Sequence, residues 1–148
     1  MSGATVFDLT DARFKTDVNA DVMAFVRELN PFAHSDLGQL LIDLSRALPA
    51  VSHYCPSYGS CAYVVLHDAS DRIFAVAWDM SGLALRIDDG AARLEAISDG
   101  GYAASAVGPQ WVGFDPWKVD EPTPVTRQRL ARWAVRAAGR SGASVPRP

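Results

Sequence analysis

Three short apolar runs decide the fold of this chain: AYVVL at residues 62–66, IFAVAW at 73–78 and LALRI at 83–87. Turn-forming residues separate them, DASD at 68–71 and MSG at 80–82. Runs of this length joined by such short connections are typical of antiparallel neighbours in a β-sheet. The sequence therefore predicts an antiparallel meander at the centre of the protein.

Alternation along these runs predicts which side chains share a face of the sheet. Tyr63 and Val65 are expected on one face, and Val64 on the other. On the second run, one face of the sheet is predicted to carry Phe74, Val76 and Trp78. The other face is predicted to carry Ile73, Ala75 and Ala77. Both faces are apolar, so helices must cover one of them, and more of the chain or a second subunit must cover the other.

Helical patterns flank the meander. Residues 18–29 carry apolar side chains at helical spacing, and Asn30-Pro31 ends that run. Ser35 is the expected N-cap of a second helix whose leucine stripe stops at Pro49, and residues 50–60 are predicted to form a loop. After the meander, the sequence predicts a short helix at 91–97, a strand at 111–114, and a last helix that begins at Pro124 and ends near residue 138.

Length and composition indicate one globular domain. The chain has 148 residues, of which 49% are hydrophobic and 21% charged, enough for a sizeable core. We predict a single α+β domain over residues 1–138, with four or five antiparallel strands flanked by N-terminal helices and a C-terminal helix. Residues 1–16 are either a loose arm or an edge element, and 139–148 are expected to form a flexible tail. The lack of a long apolar run or leader-like start predicts a cytoplasmic protein with no membrane partner.

Charge is distributed unevenly along the chain. Residues 122–148 contain six of the 14 basic residues and none of the 17 acidic ones, so this segment carries +6 and the preceding 121 residues carry −9. Four arginines of the last helix fall in one row beside Trp133: Arg129, Arg132, Arg136 and Arg140. Such a stripe is one way to bind nucleic-acid phosphates. The alternative is that it complements the helix dipole and pairs with the acidic body.

Aromatic residues offer a second candidate site. Five of them could line a pocket for a small ligand: Tyr58, Tyr63, Trp78, Trp111 and Trp117. Large aromatic side chains in a domain of this size also serve as core, which is the competing interpretation.

Catalytic and metal-binding patterns are weak. His53, Cys55, Cys61 and His67 are zinc-ligand types, but their spacing is not that of a zinc knuckle. A Cys55 nucleophile with His53 or His34 as its base is conceivable. The aspartates of the turns are explained by turn chemistry. We therefore predict no metal, no cofactor and no catalytic residue, with an enzyme based on Cys55 as a remaining alternative.

The order of the elements resembles that of the TfoX N-terminal domain and YjbR families of small bacterial proteins. The resemblance covers about residues 20–138 and lies in the loop at 57–60, the meander, the short helix, the Trp-led strand at 111–114 and the closing helix. It implies a compact α+β domain and roles in regulation or nucleic-acid binding. The chain departs from the pattern in its longer N-terminal region and in Ser60, which stands where a second glycine is common.

Together these patterns predict a small binding or regulatory module without catalytic activity. Its partner would be a protein or a small ligand, and the module would form a homodimer through the sheet if a second subunit covers the second face. A nucleic-acid-binding protein that uses the arginine stripe is the alternative.

Overall fold

The structure is a computed structural model, and it describes residues 4–7, 14–29, 35–46, 48, 51–56, 63–67, 70–79, 81–116 and 124–140. Within these ranges it contains four α-helices, a short 3-10 helix and one sheet of seven strands. The helices are α1 (Ala20–Leu29), α2 (Ser35–Ser45), α3 (Gly90–Ser98) and α4 (Pro124–Arg140); the 3-10 helix at Asp17–Asn19 leads into α1. The strands are β1 (Ala4–Phe7), β2 (Val51–Pro56), β3 (Tyr63–His67), β4 (Arg72–Trp78), β5 (Gly82–Arg86), β6 (Tyr102–Ala103) and β7 (Trp111–Phe114).

The sheet has the order β1-β2-β3-β4-β5-β7-β6. Its body is antiparallel and consists of β2, β3, β4, β5 and β7, so the predicted α+β domain with a meander of up to five strands and helices at both ends of the chain is confirmed. Two edge strands extend this body. β6 pairs antiparallel with β7, and β1 pairs parallel with β2. Residues 4–7 therefore form an edge element, one of the two alternatives for the N-terminal region.

One face of the sheet is covered by α2, α3 and α4. Leu37, Leu40 and Leu41 of α2 pack with Leu130 and Trp133 of α4 in one large cluster. The sheet contributes side chains from four strands to this cluster: Val65, Phe74, Ala75, Ala77, Leu83, Leu85, Val112 and Phe114. The leucine stripe of α2 is thus a core face, as its helical spacing predicted.

The other face is covered by the same chain. Four residues of α1 pack on this face together with Phe14: Val22, Met23, Phe25 and Val26. They contact side chains of the sheet in the same cluster: Val64, Ile73, Val76, Ala84 and Trp111. Asn19, which is fully buried, fixes this layer: its amide donates to Asp71 O over 2.8 Å and accepts from Ile73 N over 2.8 Å. Among the described side chains, helices of the same chain therefore cover both apolar faces of the sheet.

The predicted alternation holds on β3 and is wrong on β4. Tyr63 and Val65 face the α2 and α4 side while Val64 faces α1. On β4 the register shifts so that Val65 pairs with Ala75 but Leu66 pairs with Ile73, which leaves Phe74 as an extra residue. Such a bulge puts two consecutive side chains on one face. Phe74 therefore joins Ala75 and Ala77, whereas Ile73 joins Val76 in the α1 cluster.

Three further boundaries differ from the sequence prediction. Residues 51–56 form β2 and not a loop, since Val51 to Cys55 supply strand-forming side chains before Pro56 ends the strand. α2 ends at Ser45, a turn earlier than predicted. α4 continues to Arg140, so the first two residues of the predicted tail are helical; the remainder, 141–148, lies outside the described residues.

Candidate functional site

Helix α3 separates two grooves on the surface of the domain. Its first turn is capped by Asp89, whose side chain accepts from Ala92 N over 2.9 Å. Ala92 and Ala96 are its buried residues and rest on the core. After the helix, Gly100 takes a left-handed conformation with φ +105° and Gly101 N donates to Ala96 O over 3.0 Å, which directs the chain into β6. The grooves lie on the two sides of this helix.

The groove between α3 and α4, here the α3–α4 groove, is about 540 Å³ in volume and is polar. It is lined by Glu95, Ser98, Asp99, Arg132, Trp133 and Arg136. Carboxylates of α3 and its C-cap therefore face guanidinium groups of α4.

Asp99 is the centre of this groove. Trp133 Nε1 donates to its Oδ2 over 2.8 Å, and the guanidinium groups of Arg129 and Arg132 approach its oxygens to 3.5 and 3.6 Å. Arg136 pairs with Glu95 over 3.3 Å and lies 4.7 Å from the centre of the Trp133 ring, a cation–π distance. Each of the three arginines is thus paired with a carboxylate, although the three guanidinium groups exceed the two carboxylates by one positive charge.

This arrangement shows where the predicted arginine stripe lies. Arg129, Arg132 and Arg136 all pair with carboxylates at α3, which matches the interpretation that the stripe pairs with the acidic body. The side chain of Arg140 lies outside the described residues. Binding of nucleic acid by this stripe stays a prediction, and a phosphate would have to compete with Glu95 and Asp99.

The groove between α3 and β6, here the α3–β6 groove, is about 380 Å³ in volume and mainly apolar. Its lining includes Arg93, Leu94, Ile97, Ala103, Pro109, Trp111 and Val112. Leu94 is 69% exposed and Ile97 37% exposed. Among the described residues only two other large hydrophobic side chains are exposed, Tyr102 beside the same sheet edge and Val135 on α4. Apolar surface concentrated at one groove is typical of a binding site.

Strand β6 is the edge strand beside this groove, and no strand of the described residues pairs with its outer side. Ala103 pairs with Val112 of β7 and Ala104 N donates to Trp111 O over 3.0 Å. In an antiparallel ladder, successive residues point their backbone groups to opposite sides. The N–H and C=O of Ala103 therefore point away from β7, toward the open edge, and its side chain lies on the α3 face.

Arg93 lies at the end of the α3–β6 groove near the start of α3. Its Nη1 donates to Ile87 O and Asp88 O, both over 2.8 Å. Among the residues that the structure describes, no carboxylate forms an ion pair with Arg93. The other buried or half-buried arginines of these residues each pair with one: Arg72 and Arg86 with Asp88, and Arg129 with Asp99.

The aromatic residues predicted to line a pocket are not brought together. Tyr63 packs on the α2 and α4 side of the sheet, against Gly38. Trp111 is buried in the α1 cluster and Trp78 packs at its margin, where Trp78 makes an edge contact with Phe25 at 5.1 Å. These three aromatics are thus core residues on opposite faces, and Trp111 also lines the α3–β6 groove. Tyr58 and Trp117 lie outside the described residues.

An ionic cluster of two largely buried arginines and the exposed Asp88 joins the sheet to the N-terminal layer. Arg72 and Arg86 share Asp88, and Arg86 also donates to Val18 O of the 3-10 helix. Burial lowers the pKa of the Arg72 guanidinium from its ordinary value, and the charge of Asp88 opposes that shift. Because each member of the cluster contacts the fold itself, we assign it to the attachment of the N-terminal layer.

The metal and cysteine predictions fall largely outside the described side chains. His53, Cys55 and His67 lie on β2 and β3, of which the structure describes the backbone at these positions, and Cys61 and His34 lie outside the described residues. Among described residues there is no group of three or more side chains of metal-ligand type. No helix in the described part of the chain is long and apolar enough to cross a membrane.

Comparisons of the chain with protein families, curated proteins and solved structures found no match. The resemblance to the TfoX N-terminal domain and YjbR families therefore stays a prediction.

Of the residues that line the α3–β6 groove, only Trp111 was among the predicted site residues. A signal for Leu94 was present: at 100° per residue it lies 200° from Ala92, so both cannot face the core. The buried pair Ala92 and Ala96 leaves Leu94 and Ile97 together on the other side of α3. The open edge of β6 has no comparable signal, since a strand of two residues leaves no pattern.

Proposed function

We propose that this protein is a small binding module without catalytic activity, which takes an extended segment of a partner protein into the α3–β6 groove. The observation that carries the proposal is the exposure of Leu94, 69%, beside Ile97 and an open sheet edge. An isolated exposed leucine is common on protein surfaces, but an apolar groove that ends at free backbone groups is not.

The geometry favours a β-strand as the bound form. A segment that pairs antiparallel with β6 can exchange two backbone hydrogen bonds with Ala103, whose N–H and C=O point outward. Side chains of directly paired residues point to the same face of a sheet. The partner residue opposite Ala103 would therefore direct its side chain onto the α3 face, between Leu94 and Ile97. Backbone pairing and side-chain burial would then occur at one residue.

A displayed library of random linear peptides, selected on the purified protein, tests this proposal. We expect selected peptides to bind at least tenfold more weakly to Leu94→Glu, because a buried aliphatic contact contributes about 1.5–3 kcal/mol. Val135→Glu is the matched control: Val135 is also exposed, 55%, but lies on α4. The proposal would be overturned if the selected peptides bind Leu94→Glu as tightly as the wild type, or if the library yields no binding peptide.

A second variant tests the bound conformation. Ala103→Pro removes an N–H that points to the open edge and breaks no hydrogen bond to β7. We expect it to weaken the selected peptides while the unfolding midpoint of the domain changes little. Unchanged binding to Ala103→Pro would show that the peptides use the groove without adding a strand.

A further inference from the structure

Arg93 carries a charge that the described part of the fold does not neutralise. Its guanidinium is held by two backbone carbonyls, those of Ile87 and Asp88, and so is fixed in orientation without a carboxylate partner. A fixed guanidinium with donors left over is well suited to a carboxylate, which it binds through charge-assisted hydrogen bonds. The site for that carboxylate is the polar end of an otherwise apolar groove.

Two backbone hydrogen bonds show how Arg93 is placed along β6. Gly101 N donates to Ala96 O, so the Ile97 end of α3 lies where β6 begins. Ile87 N donates to Gln110 O. The next residue, Trp111, accepts a hydrogen bond from Ala104 N, just after β6. The Arg93 end of the groove therefore lies where β6 ends. A strand antiparallel to β6 would run from Arg93 toward Ile97.

Spacing along that strand gives the position of the carboxylate. Residues two apart in a strand share a face and are about 6.5 Å apart, and one turn of helix, from Arg93 to Ile97, advances about 5.4–6 Å. If one side chain of the added strand lies between Leu94 and Ile97, the side chain two positions earlier lies at Arg93.

We infer that the α3–β6 groove selects a protein segment with an acidic residue two positions before an apolar one. This inference rests on the proposed function and specifies the partner. The acidic side chain pairs with Arg93, and the apolar side chain contacts Leu94 and Ile97.

The test uses synthetic peptides with the selected sequences, capped at both ends so that side chains supply the only carboxylates. Fluorescence anisotropy compares each peptide with a version in which glutamine replaces the acidic residue. We expect about a tenfold loss for the glutamine peptide on the wild-type protein, and no difference between the two peptides on Arg93→Gln. Arg127→Gln is the matched control, since Arg127 is an exposed arginine of α4.

The outcomes separate this inference from the proposed function. Peptides that depend on Leu94 but carry no acidic residue at that position, or bind equally well with glutamine, overturn the inference and leave the groove as a binding site. Binding that requires an uncapped C-terminus, or the reversed order of the two residues, also overturns it. A library without any Leu94-dependent peptide overturns both. A partial return of the acidic preference in Arg93→Lys would support the charge pairing.

Discussion

The two sides of α3 differ in how many of their side chains find partners within the fold. Toward α4, Glu95 and Asp99 find arginines and an indole N–H, so the surface there is polar and its charges are paired. Toward β6, no described element covers Leu94 and Ile97, and Arg93 has no carboxylate partner in that part of the chain. The first side holds the helix in place. On the second side, a bound partner could bury the exposed apolar side chains and pair with Arg93. The binding proposal therefore uses this side.

The largest effect that tests this comparison is expected from Asp99→Ala. The substitution leaves the indole N–H of Trp133, a residue 3% exposed, without its acceptor, and a buried donor left unpaired costs about 1–3 kcal/mol. Urea unfolding should show this loss as a lower midpoint. Glu95→Gln is the matched control: it removes one ion pair between exposed side chains, worth about 0–1 kcal/mol. Equal effects of the two variants would mean that Asp99 does not anchor α3.

On the other side of α3, Leu94→Gln should change stability by no more than about 0.5 kcal/mol, since the side chain is exposed. Leu85→Ala, at a fully buried position of β5, should cost about 2–5 kcal/mol in the same urea experiment. A substantial loss of stability in Leu94→Gln would show that Leu94 belongs to the core, and the binding proposal would lose its main support.

A smaller effect concerns the sheet edge beside the α3–β6 groove. Partial burial of its ring raises the pKa of the Tyr102 phenol above its ordinary 10.0, and Asp115 adds to that shift. The folded state then binds the phenolic proton more tightly than the unfolded state, so this contribution to stability is present below pH 10 and is lost as pH rises through the folded pKa. Unfolding free energy should therefore fall more steeply above pH 10 in the wild type than in Tyr102→Phe. Identical slopes would mean that the ring is fully solvated.

The smallest effect is expected from nucleic acid on the α4 side. Because Arg129, Arg132 and Arg136 pair with Glu95 and Asp99, mixed oligonucleotides should give no mobility shift even at low salt. A salt-dependent shift that disappears in Arg132→Gln with Arg136→Gln would contradict this expectation and support the nucleic-acid alternative.

Sequence patterns predicted the parts of the fold in which local periodicity and packing agree. The leucine stripe of α2 and the run at 111–114 became the elements expected of them. The prediction of a loop at 50–60 was wrong because it gave more weight to a proline and small residues than to the strand-forming Val51 to Cys55. The candidate site was missed for a different reason. Its components, Arg93, Leu94 and Ala103, come together only when α3 lies beside β6, and pairing over such distances has no local signature.

The bulge at Phe74 changes which residues of β4 face each side of the sheet. On its C-terminal side, the odd-numbered Ala75 and Ala77 face α2 and α4, whereas on its N-terminal side the odd-numbered Ile73 faces α1. A chain that lacked Phe74 would keep the pairs on both sides of it, Val65 with Ala75 and Leu66 with Ile73, and Ile73 would stay on the α1 face. Such a deletion would remove one buried aromatic side chain from the α2 and α4 cluster, at a cost of about 3–5 kcal/mol. The bulge therefore lets β4 bury two consecutive side chains on one face without changing the pairs that flank it.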